Sequence, residues 1–372
     1  MAAEASQDSL RVVIAGGGTG GHVIPALAIA RELRDRHLAE VRLIGTSRGI
    51  ETKLVPEAGF PLELIQVGQL ANVSMLTRLR TSAGLPLAVR QCVRFLRGFR
   101  PHVVLGVGGY ASGPAMLAAL LLRLPTMVYE PNAVPGMVNR RVGRFVGAAA
   151  VAFQETAPYF RRAVLTGVPV RREIVDAGPL QVYPPRLLVT AGSNGARVFN
   201  ETMPLIMGHL LAAVPGLSVV HQTGERAFQA TEAAYREAGL TGERLQVCAF
   251  LSDMPAQLDR ATLVLSRSGS TVAELAAAGR PSLLVPFPRA ADDHQTKNAL
   301  AMVRGGAAEM LPESSLMAEG LLQHLSALLL DPERLLRMSA DARAMSRPNA
   351  LGEIAALAES LGNSQDRGLG TV

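Results

Sequence analysis

The sequence predicts an α/β protein built as two Rossmann-like, doubly wound parallel-sheet domains facing across a cleft. Three observations carry that expectation. Short apolar runs rich in valine, leucine and isoleucine alternate with helical stretches along the chain, the pattern of βα units in a parallel sheet. Turns of small residues join strand to helix at 16–21 and 106–113, and the device returns at 192–196. A junction containing proline and glycine, Thr166-Gly-Val-Pro-Val-Arg171, separates the two series. With 372 residues, 48% hydrophobic and 18% charged, the chain is long and apolar enough for two cored domains.

The first series opens with an apolar run at 12–14, read as a buried strand, and a helix at 25–34 with Leu27, Ala30 and Leu33 on one side. The loop between them is almost all glycine. Bare Cα atoms at 16–18, 20 and 21 let main-chain N–H groups approach an anion at the positive end of the helix. Gly16, Gly18 and Gly21 also satisfy G-x-G-x-x-G, a weak signal alone that calls for an acid after the second strand. That strand, 41–44, runs into Gly45-Thr-Ser-Arg48 with no carboxylate for a ribose, which counts against a nicotinamide cofactor. His22 stands in the helix entry, where an imidazole projects into the same crevice as the anion. A lone histidine is more often structural, but one beside a phosphate-type loop is a candidate acid or base.

A short helix at 51–58 ends at Gly59. The segment 67–100 then carries Arg78, Arg80, Arg90, Arg94, Arg97 and Arg100 without a single carboxylate. Two readings stand: a solvated helix face over a core, or, with Met75, Leu76, Leu79 and Leu85, an interfacial patch for anionic lipid headgroups. The second glycine turn follows a strand beginning after His102 and leads into a helix at 114–122, a second anion seat by the same geometry. A strand at 126–129 delivers Glu130-Pro-Asn132 to the same sheet edge, where doubly wound folds bind ligands, and 148–153 reads as the last strand of this half.

From Arg186 the cycle restarts. Strands at 217–220, 245–250, 263–265 and 282–285 follow, and the turn at 266–271 opens a helix at 272–278 stopped by Gly279. Glu274, just inside that helix, either accepts hydrogen bonds from a ribose diol or simply complements the helix dipole. The loop 286–298 holds Asp292, Asp293, His294, Gln295 and Lys297. It reads as solvated rather than as a metal site, because adjacent carboxylates do not both point into one small site without strain. Helical stretches at 317–330 and 354–361 complete the chain.

A net charge of +6 suits an acidic partner or a merely soluble basic surface. Cys92 and Cys248 lie far apart without metal-ligand spacing, which points to a reducing compartment and no disulfide. Residues 1–10 lack the basic start and apolar core of a signal peptide. The longest apolar run, 115–122, falls well short of the ~20 residues of a membrane span, so membrane contact is expected to be peripheral. No G-x-S-x-G elbow, Cys/His pairing or H-E-x-x-H is present.

Five motifs in order span nearly the whole chain: Gly17-Gly-Thr-Gly-Gly-His22-Val-Ile-Pro-Ala-Leu-Ala-Ile-Ala30, Gly106-Val-Gly-Gly-Tyr-Ala-Ser-Gly113, Glu130-Pro-Asn-Ala-Val-Pro-Gly136, Gly192-Ser-Asn-Gly-Ala-Arg197 and the stretch 267–281. Together they resemble the MurG family of N-acetylglucosaminyltransferases. The resemblance implies an inverting GT-B glycosyltransferase with no obligatory metal and no cofactor. It implies transfer of N-acetylglucosamine from UDP-N-acetylglucosamine to the C4 hydroxyl of the N-acetylmuramyl unit of lipid I, an undecaprenyl-pyrophosphate-linked acceptor, giving lipid II for peptidoglycan. The expected place is the cytoplasmic face of the plasma membrane, peripheral on an anionic membrane surface, with no nucleic acid involved. Residues 8–169 would form the acceptor and membrane-contact domain, joined by a returning helix at 345–362, and 170–344 the UDP-sugar domain.

On the same resemblance Gly17, Gly18, Gly21, Gly108, Gly109 and Tyr110 receive the acceptor pyrophosphate. His22 is the base for the acceptor hydroxyl, a task that the near-neutral pKa of imidazole fits. Thr19, Gly20, Asn132, Arg171, Ser193, Leu251, Glu274 and Gln295 hold the donor. Ser193 and the main chain after it take the UDP phosphates with Arg171, Leu251 lies beside uracil, Glu274 binds the ribose, and Gln295 and Asn132 hold the sugar. Negative charge grows on the departing UDP, so donors aimed there do most. The chain departs from the family at Tyr129-Glu-Pro-Asn132, often His-Glu-Gln-Asn, at His294, glutamine in some members, and in the 267–271 loop, one residue shorter than usual. Three rival readings stand beside this one: a nicotinamide oxidoreductase, a non-catalytic protein that sequesters lipid pyrophosphates, and a sugar-nucleotide epimerase on the same scaffold.

Overall fold

The computed structural model describes residues 9–67 and 75–366, which fall into two compact units. One runs to Pro169 and takes the chain back from Asn349; the other is Val170–Pro348.

The strands of the first unit are β1 (Arg11–Gly16), β2 (Glu40–Thr46), β3 (Leu62–Ile65), β4 (Val103–Gly108), β5 (Thr126–Glu130), β6 (Ala148–Val151) and β7 (Ala163–Leu165). They form one parallel sheet in the order β3-β2-β1-β4-β5-β6-β7. The order reverses between β1 and β4, so their carboxyl ends flank the crevice where such sheets take ligands. β1 is a continuous apolar run because a parallel sheet is covered on both faces. Its side chains alternate. Val12 and Ile14 pack with the helices Gly20–His37 and Ala350–Asp366, while Val13 and Ala15 pack with the helices Met75–Phe99 and Ser112–Leu121. The returning C-terminal helix buries Ile354, Ala355 and Ala358 there, and Glu359 meets His37 Nδ1 at 3.0 Å.

The helix Met75–Phe99 buries Ala88, Cys92, Leu96 and Phe99, a stripe at helical spacing, and turns Arg90, Arg94 and Arg97 to solvent. Burial pushes the Cys92 thiol up to about 12. The side chains at 75–83, including Met75, Leu76, Arg78, Leu79 and Arg80, lie outside the described residues. Among those described, no helix is long and apolar enough to cross a membrane.

The second unit repeats the device with β8 (Arg186–Thr190), β9 (Ser218–Gln222), β10 (Leu245–Cys248), β11 (Leu263–Ser266), β12 (Ser282–Leu284) and β13 (Ala308–Met310). Its parallel sheet has the order β10-β9-β8-β11-β12-β13, with the reversal between β8 and β11. Leu187 and Val189 of β8 share a core with Phe199, Met203 and Leu210. Arg280 ties this unit together from within. Fully buried, its guanidinium donates to the carbonyls of Leu258 at 2.6 Å and of Gly178 and Asp259 at 2.9 Å. Burial lowers its pKa to about 10, which still leaves it charged at neutral pH.

Three sequence expectations change. Residues 148–153 do not end the first half, because β7 pairs beyond β6. The first helix begins at Gly20 rather than at Pro25, and it takes His22 into its first turn. The polar loop at 286–298 is shorter than expected: His294–Arg304 is a helix, so Gln295 sits at its start.

Candidate functional site

β1 and β4 end side by side, and each runs through glycines into a helix. A register shift between Ala15 and Gly16 sets Gly16 opposite Gly108. Beyond Thr19 the helix begins, and the Thr19 carbonyl accepts the N–H groups of His22 and Val23, each at 3.1 Å. The His22 ring then reaches back to β4, where Nδ1 lies 3.0 Å from the Val107 carbonyl oxygen. A carbonyl only accepts, so Nδ1 carries the proton and the basic lone pair of the neutral ring is on Nε2. Gly108 makes room for the ring. Its φ is +91°, and a Cβ there would stand 2.8 Å from His22 Cε1. Tyr110 is half-buried, and a Cβ on Gly18 would stand 3.9 Å from its Cδ2.

Gly17 and Gly18 also have a partner within the protein. A Cβ on Gly17 would overlap the carboxylate of Glu51, and the Gly18 N–H donates to Glu51 Oε2 at 2.8 Å. That amide is already committed. Among the described residues, the amides of Gly20 and Gly21 at the helix end carry no hydrogen bond, so they are donors open to an anion. Sequence reasoning missed Glu51, which it took only as the start of a short helix.

Glu130, at the end of β5, is buried and holds its own turn. It accepts from the Asn132 N–H at 3.1 Å and, at 3.0 Å each, from Asn132 Nδ2, the Gly136 N–H and Asn139 Nδ2. Burial pushes the carboxyl up, and these donors only partly pull it back. The Nδ2 of Asn132 is therefore engaged within the turn expected to offer it to a sugar. Tyr129 points away into the core, so the departure from the family pattern at that position is a packing residue.

In the second unit the turns after β8 and β9 clasp each other. A Cβ on Gly195 would overlap the Thr223 carbonyl and one on Gly224 the Asn194 carbonyl, and both glycines have positive φ, +66° and +81°. Ser193 is exposed in the first of these turns, ahead of the helix Arg197–Ala213. Leu251 follows β10 and is buried, Glu274 follows β11, and Gln295 follows β12. All four thus leave the carboxyl ends of strands, the edge where open α/β sheets bind ligands. Two of the expected donor residues meet directly. Arg171 Nη2 lies 3.7 Å from Glu274 Oε1. Burial raises the Glu274 carboxyl above its ordinary value and Arg171 draws it back in part.

Gln295 Oε1 accepts the Phe287 N–H at 2.9 Å and its carbonyl takes the Ser268 hydroxyl at 2.8 Å, so Gln295 braces the turn before Glu274. Arg267 in that turn is structural: it donates to the carbonyls of Val285 and Pro286 at 3.0 and 3.1 Å and pairs with Glu313.

Two family descriptions match the chain, the glycosyltransferase family 28 N-terminal domain over residues 12–151 and the glycosyltransferase family 28 C-terminal domain over 186–354. The UDP-N-acetylglucosamine--N-acetylmuramyl-(pentapeptide) pyrophosphoryl-undecaprenol N-acetylglucosamine transferase of Anaeromyxobacter sp. (strain Fw109-5) is 45% identical over 353 residues, covering 93% of this chain and 92% of that relative. The crystal structure of Acinetobacter baumannii MurG superposes with a TM-score of 0.83 at 32% identity, over 94% of this chain and 99% of that one. UDP-GlcNAc 2-epimerase from Neisseria meningitidis, bound to UDP-GlcNAc, superposes with a TM-score of 0.62 at 14% identity over 94% and 99%, a likeness of fold alone. The chain belongs to glycosyltransferase family 28 and, within it, to the MurG group of N-acetylglucosamine transferases.

Proposed function

We propose that this chain transfers N-acetylglucosamine from UDP-N-acetylglucosamine to the C4 hydroxyl of the N-acetylmuramyl unit of lipid I, with inversion, giving lipid II. The observation that carries the chemistry is the held imidazole: Nδ1–H is committed to Val107, which leaves Nε2 as the atom that takes a proton. The acceptor hydroxyl gives its proton to Nε2 as its oxygen bonds to the anomeric carbon. The bond from that carbon to the UDP oxygen breaks on the opposite face, and UDP leaves with the electron pair. Arg171 and the N-terminal end of the helix Arg197–Ala213 meet the charge that grows on UDP. The open amides beside His22, with the turn at Gly108, Gly109 and Tyr110, take the acceptor pyrophosphate. A transfer assay with labelled UDP-N-acetylglucosamine and a lipid I analogue tests this. Label should move only when both are present, and donor converted in the absence of acceptor would favour an epimerase instead.

The ribose role of Glu274 makes its own prediction. Glu274→Gln should weaken UDP binding by about 1.5–3 kcal/mol, the range for a hydrogen bond to a charged group. The wild-type carboxyl, raised by burial, takes up its proton at a higher pH than an ordinary glutamate. UDP affinity should therefore fall as pH is lowered, beginning above the ordinary carboxylate range, and the glutamine variant should lack that fall. Titration calorimetry across pH reads both, and a pH-independent wild type would remove the role.

The same reading places the chain peripherally on the cytoplasmic face of the plasma membrane. Exposed Arg90, Arg94 and Arg97, beside half-exposed Leu87, supply a basic face for anionic headgroups. Arg94→Ala with Arg97→Ala should weaken binding to anionic vesicles by about 2 kcal/mol at low salt, roughly thirty-fold, with transfer to a soluble acceptor analogue retained. Vesicle co-sedimentation unchanged in the double variant would sink this assignment.

A further inference from the structure

We propose that Glu51 is a positioning residue for His22, its buried carboxylate fixing the first glycine turn in the shape from which the His22 helix starts. Glu51 opens the helix Glu51–Glu57 and is 1% exposed. Its Oε1 accepts the Thr46 N–H at 2.9 Å and the Thr46 hydroxyl at 2.8 Å, while Oε2 accepts the Gly18 N–H at 2.8 Å. One side chain thus bolts the turn after β1 to the end of β2.

Three glycines converge on it. A Cβ on Gly17 or Gly49 would overlap the carboxylate, and one on Gly45 would stand 2.6 Å from Glu51 Cγ. Glycine at those positions is required by the carboxylate alone, whatever the turn binds. Burial pushes this carboxyl up, but the amides of Gly18, Thr46 and Glu51 itself and the Thr46 hydroxyl together hold it below the ordinary glutamate value. It is therefore ionised at neutral pH, and its bonds to those amides are charge-assisted.

The link to His22 is short. Thr19 is the N-cap residue of the helix, yet its side chain makes no capping bond. The path into the first turn is set instead from the Gly18 amide, in the left-handed region at φ +93°, through the Thr19 carbonyl to the His22 N–H. Val107 and Gly108 fix the ring, and Glu51 fixes the backbone that carries it. An imidazole displaced by about 1 Å loses its alignment for proton transfer, which is how a side chain away from the reacting atoms changes turnover.

The functional half of this inference rests on the reading of His22 as the base, so the test reads the ring directly as well as the reaction. In the wild type, 15N shifts of the His22 ring, assigned by their absence in His22→Ala, should report a single Nδ1–H tautomer. Glu51→Gln sets an NH2 against N–H donors. It should show mixed tautomers and a 30- to 100-fold lower kcat, with the UDP dissociation constant within two-fold. Glu51→Asp, which keeps the charge, should fall between, and it carries both readouts should the glutamine variant fail to fold. A lowered melting temperature with tautomer and kcat unchanged would overturn the inference. If His22→Ala itself retained turnover, the base assignment would fall, and the tautomer shift alone would then decide whether Glu51 positions the ring.

Discussion

His22→Ala is expected to lower turnover by about 10²- to 10⁴-fold while leaving UDP affinity within two-fold, the range that positioned general bases contribute. That span corresponds to roughly 3–5 kcal/mol of transition-state stabilisation. The bond lost to structure is smaller: the Val107 contact is a neutral hydrogen bond worth about 1 kcal/mol net. Destabilisation on that scale does not empty the folded state, so assays well below the unfolding temperature separate the two effects. The acid limb of the kcat/KM profile, where Nε2 becomes protonated, should disappear in the variant. Added imidazole should recover part of the rate through the space left beside Gly108. Equal losses in UDP affinity and turnover, or an acid limb that survives, would mean that His22 only packs.

The parallel α/β class was legible because β1, β4, β8 and β11 are apolar runs buried on both faces, each followed by small residues and a helix. β3, β7 and β13 were not: each has three or four residues at the rim of its sheet, too short for a period-two pattern to register. The start of the first helix was misplaced because Gly20, Gly21 and Pro25 argue locally against a helix that the Val107 and Glu51 anchors impose. Glycine is ambiguous at Gly17. A missing Cβ shows that something approaches closely, but a bound phosphate and the protein's own carboxylate leave the same mark in sequence. Arg171 and Glu274 were legible as residue types, whereas their 3.7 Å contact is a product of chain folding that spacing does not reveal. Asn132 was placed in the right turn with its Nδ2 committed to Glu130, a partner two residues away.

Gly109→Ala is expected to cost the first unit about 3–5 kcal/mol and at least 100-fold in turnover, the mark of backbone strain combined with overpacking. The glycine has φ +82°, where an alanine alone costs about 1–2 kcal/mol. The larger part is steric. The added Cβ would overlap the Gly17 carbonyl oxygen and stand 3.0 Å from the Gly17 nitrogen, both backbone atoms. That backbone has little room to withdraw, because a Cβ on Gly17 would already overlap the Glu51 carboxylate on another side and the next amide is bonded to it. The two turns must part, and His22 loses the Val107 and Gly108 seat that holds its tautomer. UDP binding should fall less than turnover, because Arg171, Ser193, Leu251, Glu274 and Gln295 belong to the other unit and, of the expected donor residues, only Thr19, Gly20 and Asn132 lie in this one. Gly113→Ala is the control. Its Cβ would meet only the Val138 methyls at 3.8 and 4.0 Å inside a helix, so it should stay within about 1 kcal/mol of wild type. Urea unfolding with the transfer assay reads both variants, and a Gly109→Ala chain as stable and active as Gly113→Ala would show that the two turns do not brace each other.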